Sequence, residues 1–117
     1  NDYAIRDYLE NYYRPNLRVK SRDGLTPISP DVVPKVAIPD PHNLALRTFV
    51  NGELRQQGTT ADMIHKIVPL IAYMSRFFTL KAGDVILTGT PEGVGPLHSG
   101  DELEVGFNGL SLKTRVL

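Results

Sequence analysis

Residues 44–50 alternate between two sets of side chains, which is the pattern of a β-strand with one face in a core. The pair Asn51-Gly52 follows, and residues 53–57 can form the returning strand. An Asn-Gly pair between two strand-like segments is the strongest short signal for a β-hairpin. The same arrangement recurs over residues 101–116, so the sequence predicts two hairpins.

A stripe of hydrophobic residues at helical spacing lies in the middle of the chain and predicts the main helix. Its members are Met63, Ile64, Ile67, Val68, Ile71, Met74 and Phe78. Thr59 and Asp62 form a capping-box pattern before it, with Asp in the position that Glu usually holds. Pro69 removes a backbone hydrogen bond inside the stripe, so the sequence predicts either a kink or two abutting helices.

Four shorter segments complete the predicted fold. Residues 4–13 have the spacing of a short helix, residues 17–20 can form a strand, and residues 85–87 are predicted as a short buried strand. Residues 23–43 are rich in proline, which predicts an irregular connection. Together these segments predict a β-rich α+β domain with one main helix.

Composition and charge limit the class of protein. The 117 residues are enough for one domain, and 13 basic residues balance 13 acidic ones, so no net positive field favours nucleic acid. No hydrophobic run approaches the roughly 18 residues that a membrane span needs. The absence of cysteine excludes disulfides, thiolate metal sites and cysteine nucleophiles. These features fit a cytoplasmic protein with neither nucleic-acid nor membrane partners.

The segment GDVILTGTPEGVG, residues 83–95, has the glycine and threonine content of a phosphate-binding loop. A Walker A loop requires a lysine after its last glycine, and none is present. Glu92 would repel a phosphate, and Pro91 lacks a backbone N–H donor. Two interpretations remain open: the glycines merely turn the chain, or a threonine hydroxyl and backbone N–H groups bind a carboxylate or keto oxygen.

Two charged residues outside this loop are candidates for a site. Asp2 offers a carboxylate that is able to bind a hard cation such as Mg²⁺, although a helix N-cap is the commoner use of Asp in such a position. Lys20 lies between Val19 and Ser21 and is able to hold an anionic substrate or an enolate, although a solvated surface lysine is commoner. The three histidines are not spaced as ligands of one site, and we expect surface or packing roles for them.

Four separated motifs carry further information: NDYAIRD, RVKSRDG, IPDPHNLALRTFVNGELRQQGTTADMI and LKAGDVILTGTPEGVGPL. In sequence, order and spacing they resemble the fumarylacetoacetate hydrolase family over nearly the whole chain. Residues 1–27 are similar to the C-terminal domain of the decarboxylase/isomerase members of the homoprotocatechuate pathway, and residues from 56 onward to acylpyruvate-hydrolase-like members. The resemblance implies a β-roll or mixed β-sandwich fold.

The resemblance also implies a metal ion. Family members bind Mg²⁺, Mn²⁺ or Ca²⁺ through three acidic residues, of which one corresponds to Asp2. The other two belong to a Glu-x-Glu motif, and the nearest such string, Glu102-Leu103-Glu104, lies in the last predicted hairpin instead. We therefore expect residues 1–117 to form a single, incomplete catalytic domain, the C-terminal portion of the family fold.

The remaining roles implied by the resemblance concern the substrate. Arg6 would hold its acid groups, and Lys20 would stabilise negative charge on its oxygen. Thr88 would contact its carboxylate, and Gly89 would let the backbone approach it closely. One position departs from the pattern, because Leu9 stands where many hydrolase members have glutamine.

The implied activity is metal-dependent decarboxylation or isomerisation of a 2-oxo or 2-hydroxy-dienoate acid in aromatic catabolism. One alternative is C–C bond cleavage, as by an acylpyruvate hydrolase or an oxaloacetate decarboxylase, although Leu9 argues against hydrolysis. Another alternative is an inactive fragment that lacks the Glu-x-Glu ligands. The expected partner is a small keto acid, and the resemblance implies a homo-oligomer or a tandem family domain.

Overall fold

The computed structural model describes residues 1–5 and 19–117, which divide into two compact units, Asn1–Val32 and Val33–Leu117. Most of the helix predicted over residues 4–13 lies outside the described residues.

The first unit brings two separated segments side by side through backbone hydrogen bonds. The N–H of Tyr3 donates to the carbonyl of Leu25, and the N–H of Ile5 donates to the carbonyl of Val19, each at 2.9 Å. Val19 is almost completely buried. The strand predicted over residues 17–20 is wrong in its described part, since Val19 has helical backbone and Lys20 lies in a turn. A strand needs a ladder of bonds to a neighbour.

The second unit is built on one antiparallel sheet of four strands. These are β1 (Ala45–Val50), β2 (Glu53–Thr59), β3 (Glu102–Phe107) and β4 (Leu110–Arg115), in the order β2-β1-β3-β4. Both predicted hairpins are therefore confirmed, and the second hairpin joins the first through the pairing of β1 with β3. With the helix described below, the predicted β-rich α+β class is confirmed.

Each hairpin turns on its Asn-Gly pair. Asn51 and Gly52 have φ of 51° and 82°, and Asn108 and Gly109 have φ of 46° and 83°. Positive φ at both central residues matches the right-handed twist of the flanking strands, and Asn and Gly adopt it at the least cost. The local sequence therefore determines both turns.

The two faces of the sheet differ in chemistry. Thr48 and Val50 of β1 are buried, and Val50 pairs directly with the buried Leu103 of β3. On the opposite face Glu104 pairs with Lys113 of β4, and their charged groups lie 3.4 Å apart. The predicted alternation along residues 44–50 is confirmed, because a period of two places successive side chains on opposite faces.

A β-bulge interrupts the pairing of β1 with β2. Thr48 lies opposite Gln56, whereas the next residue, Phe49, lies opposite Leu54, so Arg55 is the extra residue. A regular ladder would have placed Arg55 opposite the buried Thr48. The bulge therefore brings Gln56 to the core face in its place, which is how bulges redirect side chains.

The main helix, α1 (Ile67–Met74), is shorter than its hydrophobic stripe. The predicted kink or pair of abutting helices is wrong, because the helix begins at Ile67 and Pro69 lies in its first turn. There the missing N–H would have no acceptor within the helix. The proline ring also opposes a helical conformation four residues earlier, at His65, so the helix does not extend toward the start of the stripe.

The capping pattern before the stripe serves a different element. The Thr59 hydroxyl accepts a hydrogen bond from the N–H of Ala61 at 3.2 Å, and it caps a single 3₁₀ turn, Thr60–Asp62. Thr59 is therefore a cap, as its part in the pattern predicted, but the residue that donates to it is Ala61, and the turn ends before α1 starts.

The predicted buried strand at residues 85–87 is also wrong. These residues belong to no strand in the described part of the chain, and Val85 and Leu87 are 62% and 53% exposed. An apolar run becomes a strand only where a neighbouring strand offers backbone partners. Among the described helices, none is both long and apolar enough to cross a membrane.

Candidate functional site

The first unit brings two of the predicted site residues into direct contact. Lys20 Nζ lies 2.6 Å from Asp2 Oδ2, which is the geometry of a charge-assisted hydrogen bond. The two side chains remain 36% and 35% exposed. A ligand arriving from solvent can therefore reach both charges.

The backbone around this ion pair explains its position. The bonds of Tyr3 to Leu25 and of Ile5 to Val19 hold the two segments that carry Asp2 and Lys20 side by side. Asp2 precedes the first donor, and Lys20 follows the buried Val19 directly. Packing of Val19 therefore fixes the start of the lysine side chain, while its ammonium group reaches the carboxylate.

The described residues do not by themselves provide a complete site for Mg²⁺. No group of three or more Asp, Glu, His or Cys side chains suitable for a metal ion occurs among residues 1–5 and 19–117. Asp2 is one carboxylate and is already bound by Lys20. Mg²⁺ and Ca²⁺ require several oxygen ligands, so this donor set does not fit a resident ion on its own. Arg6 lies outside the described residues, so its predicted role stays a prediction.

Glu102 and Glu104, the only near match to a Glu-x-Glu motif, lie on β3 as predicted. Glu104 is paired with Lys113, and the backbone N–H of Glu102 donates to the Asn51 side chain at 2.9 Å. Both glutamates therefore belong to the sheet, and the structure gives no reason to assign them to a metal.

The second unit contains the other two predicted residues, Thr88 and Gly89. Both are exposed, and the Thr88 hydroxyl makes no hydrogen bond within the described part of the chain. Gly89 has φ of 107°, and a Cβ added there would meet open space. Glycine is needed at this position for its backbone conformation, and the space beside it is accessible to a ligand. Their substrate-binding roles stay predictions.

The second half of the same loop is bound to β2 by a residue that the sequence did not single out. Gln56 Nε2 lies 3.2 Å from Thr90 Oγ1, 3.2 Å from the carbonyl oxygen of Pro91 and 3.4 Å from that of Glu92. No local pattern marks Gln56 in the sequence, because its partners are more than 30 positions away. The bulge at Arg55 determines the face of the sheet on which the Gln56 side chain lies, and the bulge itself depends on the pairing of β1 with β2.

Two glycines let the loop lie directly on β2. A Cβ on Gly58 would come within 2.9 Å of Pro91 Cβ, and a Cβ on Gly93 would collide with the backbone carbonyl of Arg55. Gly93 also has φ of 93°, so it is required both for its conformation and for the close approach. The Gly-rich stretch is therefore a packed turn over part of its length.

One histidine has a structural role that agrees with the prediction. His42 Nε2 accepts a hydrogen bond from the N–H of Ile67 at 3.1 Å. Ile67 is the first residue of α1, whose N–H has no acceptor within the helix. His42 thus connects the proline-rich segment to the helix start.

Asp101 is the one side chain in the described residues whose pKa is clearly displaced. The backbone N–H of His98 and the side chain of Asn51 each donate to its carboxylate at 2.8 Å. These bonds, the His98 bond foremost, lower the pKa of Asp101 below its ordinary value, and the charges of His98 and Arg55 add to the effect. The carboxylate joins the β1–β2 turn to the start of β3 and is a structural group.

A shallow cavity of about 480 Å³ lies against the charged face of the sheet. Its lining residues come from the strands and the first hairpin turn: Phe49, Gly52, Glu102, Leu103, Glu104, Lys113, Thr114 and Arg115. None of the predicted site residues is among them. At this cavity Glu104 and Lys113 are paired with each other. The candidate residues lie elsewhere, with Asp2 and Lys20 in the first unit and Thr88 and Gly89 in the second.

Comparison with known proteins agrees with this fold and these motifs. The chain matches the family described as "Fumarylacetoacetate (FAA) hydrolase C-terminal" over residues 1–117. It therefore belongs to the fumarylacetoacetate hydrolase family.

Two relatives from Escherichia coli show which members it is similar to. It is 70% identical over 110 residues to the 4-hydroxyphenylacetate degradation bifunctional isomerase/decarboxylase. The matched region covers 94% of this chain and 26% of that protein. The chain is 59% identical over 119 residues to the oxaloacetate tautomerase YcgM of strain K12, covering 99% of this chain and 54% of that protein. The similarity to the isomerase/decarboxylase is thus not confined to residues 1–27, and the chain spans between about a quarter and about half of these relatives.

A solved structure adds a bound ligand. The crystal structure of maleylpyruvate hydrolase from Sphingobium sp. SYK-6, in complex with manganese(II) ion and pyruvate, superposes with a TM-score of 0.71 at 37% identity. The match covers 74% of this chain and 33% of the hydrolase. A member of the family therefore binds a divalent metal together with a 2-oxo acid.

Proposed function

We propose that the intact protein is an enzyme that decarboxylates or isomerises a small 2-oxo acid by way of an enolate. The observation that carries the proposal is the contact of Lys20 with Asp2, which places a partly exposed ammonium group in a fixed position. The names of two similar proteins, an isomerase/decarboxylase and an oxaloacetate tautomerase, support the same class of chemistry.

These reactions share one intermediate charge. In decarboxylation the bond between the carbon next to the carbonyl and its carboxylate breaks, CO₂ departs, the electron pair moves onto the keto oxygen, and the enolate then takes a proton from solvent. In isomerisation or tautomerisation a base such as water removes a proton from that carbon, the same oxygen takes the charge, and a proton returns to the oxygen or to a conjugated carbon. A cation positioned beside this oxygen lowers the barrier, because the negative charge on the oxygen develops in the transition state and is absent from the bound substrate. Lys20 is the residue to which we assign that role.

The loop of the second unit would bind the acid end of the substrate. Thr88 offers a hydroxyl without a partner among the described residues, and Gly89 leaves its surroundings open. A carboxylate accepts hydrogen bonds from a hydroxyl and from backbone N–H groups. We assign Thr88 and Gly89 to the substrate carboxylate, with Arg6 as a second anion-binding residue.

Asp2 would have two uses. In the described structure it holds the Lys20 ammonium in place. If the intact protein carries Mg²⁺ or another divalent cation, we propose that Asp2 is one ligand and that further acidic residues come from outside the described part of the chain. The manganese complex of maleylpyruvate hydrolase supports a metal in the family, and such an ion would supply Lewis-acid chemistry at the keto acid.

The proposal includes how the domain is used. The chain corresponds to 26% of the bifunctional relative and to 54% of the tautomerase. We propose that it functions as part of a tandem family protein or as part of a homo-oligomer.

One set of assays with the intact protein tests the proposed reaction class. Oxaloacetate is followed for enol–keto conversion by its ultraviolet absorbance and for CO₂ release, and an acylpyruvate is followed for hydrolysis. We expect conversion or decarboxylation of the 2-oxo acid and no hydrolysis. An enzyme that only hydrolyses the acylpyruvate would overturn the proposal in favour of the C–C hydrolase, whereas complete inactivity would support the non-catalytic alternative.

A further inference from the structure

We propose that Gln56 is a positioning residue for the substrate-binding loop: it fixes residues 90–92 on β2 and thereby sets the place of Thr88 and Gly89. This inference rests on the proposed function for its catalytic consequence. Its structural part, which concerns the loop and β2 alone, can be tested separately.

The orientation of the Gln56 amide follows from its partners. Two of the three atoms around Nε2 are backbone carbonyl oxygens, of Pro91 and Glu92, which can only accept. The third is the hydroxyl oxygen of Thr90. An amide oxygen in the same position would face two carbonyl oxygens, so the NH₂ group must point to the loop. One side chain therefore bonds three consecutive loop residues.

The backbone of β2 prepares this contact. The bulge at Arg55 brings Gln56, half-buried, to the face where Thr48 is buried. On either side of Gln56 the loop touches the strand, with Pro91 against Gly58 and Gly93 against the carbonyl of Arg55. Three adjacent contacts thus fix residues 90–93 to the strand.

The exposed part of the loop, Thr88 and Gly89, directly precedes Thr90, the first residue that contacts the strand. Thr88 and Gly89 are exposed, and their own hydrogen-bonding groups remain available for a ligand. Only Gly89 separates Thr88 from Thr90, the first residue that Gln56 bonds, so the position of Thr90 restricts where Thr88 can lie. Loss of the Gln56 bonds should therefore displace Thr88 without unfolding the sheet.

Two substitutions at position 56 separate lost attraction from added repulsion. Gln56→Met keeps a side chain of similar size and removes all three hydrogen bonds. Gln56→Glu replaces the donor group by an oxygen that faces the carbonyls of Pro91 and Glu92, so it should have the larger effect. Gln57→Glu is the matched control, since Gln57 is adjacent, exposed and without a hydrogen bond to the loop in the described residues.

The catalytic test uses the intact protein and oxaloacetate. We expect Gln56→Glu to raise KM about tenfold and Gln56→Met to raise it less, with kcat within about twofold of wild type, because the loop holds the carboxylate equally in the ground and transition states. The dissociation constant for pyruvate, measured by NMR titration, should rise in the same order. Gln57→Glu should behave as wild type. Unchanged KM and pyruvate affinity in both position-56 variants would overturn the proposal.

Hydrogen exchange measures the structural part without reference to activity. In Gln56→Met the amides of residues 88–93 should exchange about tenfold faster, whereas those of β1 and β3 keep their protection. If the strands lose protection to the same extent, Gln56 supports the sheet as a whole and the positioning role is wrong. If wild-type protein neither binds nor converts a keto acid, the proposed function fails, and faster loop exchange in Gln56→Met would still establish that Gln56 holds the loop.

Discussion

The ammonium of Lys20 and the carboxylate of Asp2 form an ion pair, with 2.6 Å between Nζ and Oδ2. Because both side chains are about one-third exposed, the pair is worth little for stability, and an exposed ion pair usually contributes less than about 1 kcal/mol. Its importance lies in the position that it gives to the lysine. Substitutions that remove one charge should therefore change chemistry more than folding.

Replacing Lys20 tests its proposed contact with the substrate oxygen. In the intact protein, Lys20→Met should lower kcat for oxaloacetate by roughly 10²–10³, because a charge-stabilising donor at a developing oxyanion typically has that effect. The midpoint of thermal unfolding should change little. Lys113→Met, which removes another ion-paired lysine, is the control and should keep wild-type turnover. Wild-type kcat in Lys20→Met would eliminate the proposed role.

Replacing Thr88 tests the carboxylate-binding part of the loop. Thr88→Val nearly preserves shape but removes one hydroxyl, so the affinity for pyruvate should fall about tenfold while stability stays close to wild type. Thr79→Val provides the control, since Thr79 is also exposed. A variant that loses stability but binds pyruvate normally would show that Thr88 only supports the turn.

Gly93 and Gly100 form a matched pair for testing the close approach of the loop to β2. Their φ values are 93° and 94°, but only at Gly93 would a Cβ collide with a neighbour, the carbonyl of Arg55. Both alanine variants carry the cost of a left-handed backbone, and Gly93→Ala should lose at least about 1 kcal/mol more from overpacking. Chemical denaturation gives both free energies. Equal losses would mean that the loop yields without cost.

The carboxylate of Asp101 should make stability depend on pH in the acid range. Its pKa is lowered in the folded state from the ordinary 3.8, so the charged form favours folding above that value. This contribution is lost as the pH falls through the lower, folded pKa. Asp101→Asn should therefore be less stable than wild type at neutral pH and lose less stability on acidification. Asp31→Asn, another exposed aspartate, is the control for denaturation curves between neutral and strongly acid pH. Parallel acid limbs for wild type and Asp101→Asn would contradict the assignment.

Metal binding by residues 1–117 alone should be weak. Asp2 is a single carboxylate already paired with an ammonium group, so it provides too few free oxygen ligands to bind Mn²⁺ tightly. Calorimetric titration should therefore give a dissociation constant in the millimolar range or weaker. Lys20→Met frees Asp2 and should raise the affinity, whereas Asp2→Asn should abolish what remains. Micromolar binding by the unmodified chain would show that other residues form a metal site.

The features that the sequence predicted well depend on neighbours along the chain. The turns at Asn51 and Asn108 follow from residues that tolerate positive φ, and the two-residue alternation of β1 follows from the geometry of a strand. The Thr59 cap was predicted from the three-residue spacing of Thr59 and Asp62, and the hydrogen bond that it accepts from Ala61 is equally local. Short range is what these correct predictions have in common.

The failures concern interactions at long range. Residues 85–87 have a strand-like composition, but pairing depends on which other strands lie beside them. The hydrophobic stripe predicts a helix that begins before Ile67, but the steric effect of Pro69 on the preceding turn prevents this. Within the candidate site, motif resemblance singled out Asp2 and Lys20, and their contact is a finding of the structure. The role of Gln56 was not predicted, because the loop residues that it bonds are more than 30 positions away in the sequence.

The order of the strands also has a consequence for folding kinetics. Each hairpin closes on its own turn, an event of microseconds, whereas β1 meets β3 only when segments 51 positions apart come together, as Asn51 and Glu102 do. The intervening chain includes α1 and the whole substrate-binding loop. Closing so long a segment costs conformational entropy before the contacts between β1 and β3 can offset that cost. The docking of the two hairpins is therefore the slow step. The loop that we assign to the substrate packs on β2, within the first hairpin, so it can take its shape before this slow step and shorten the segment that the step has to close.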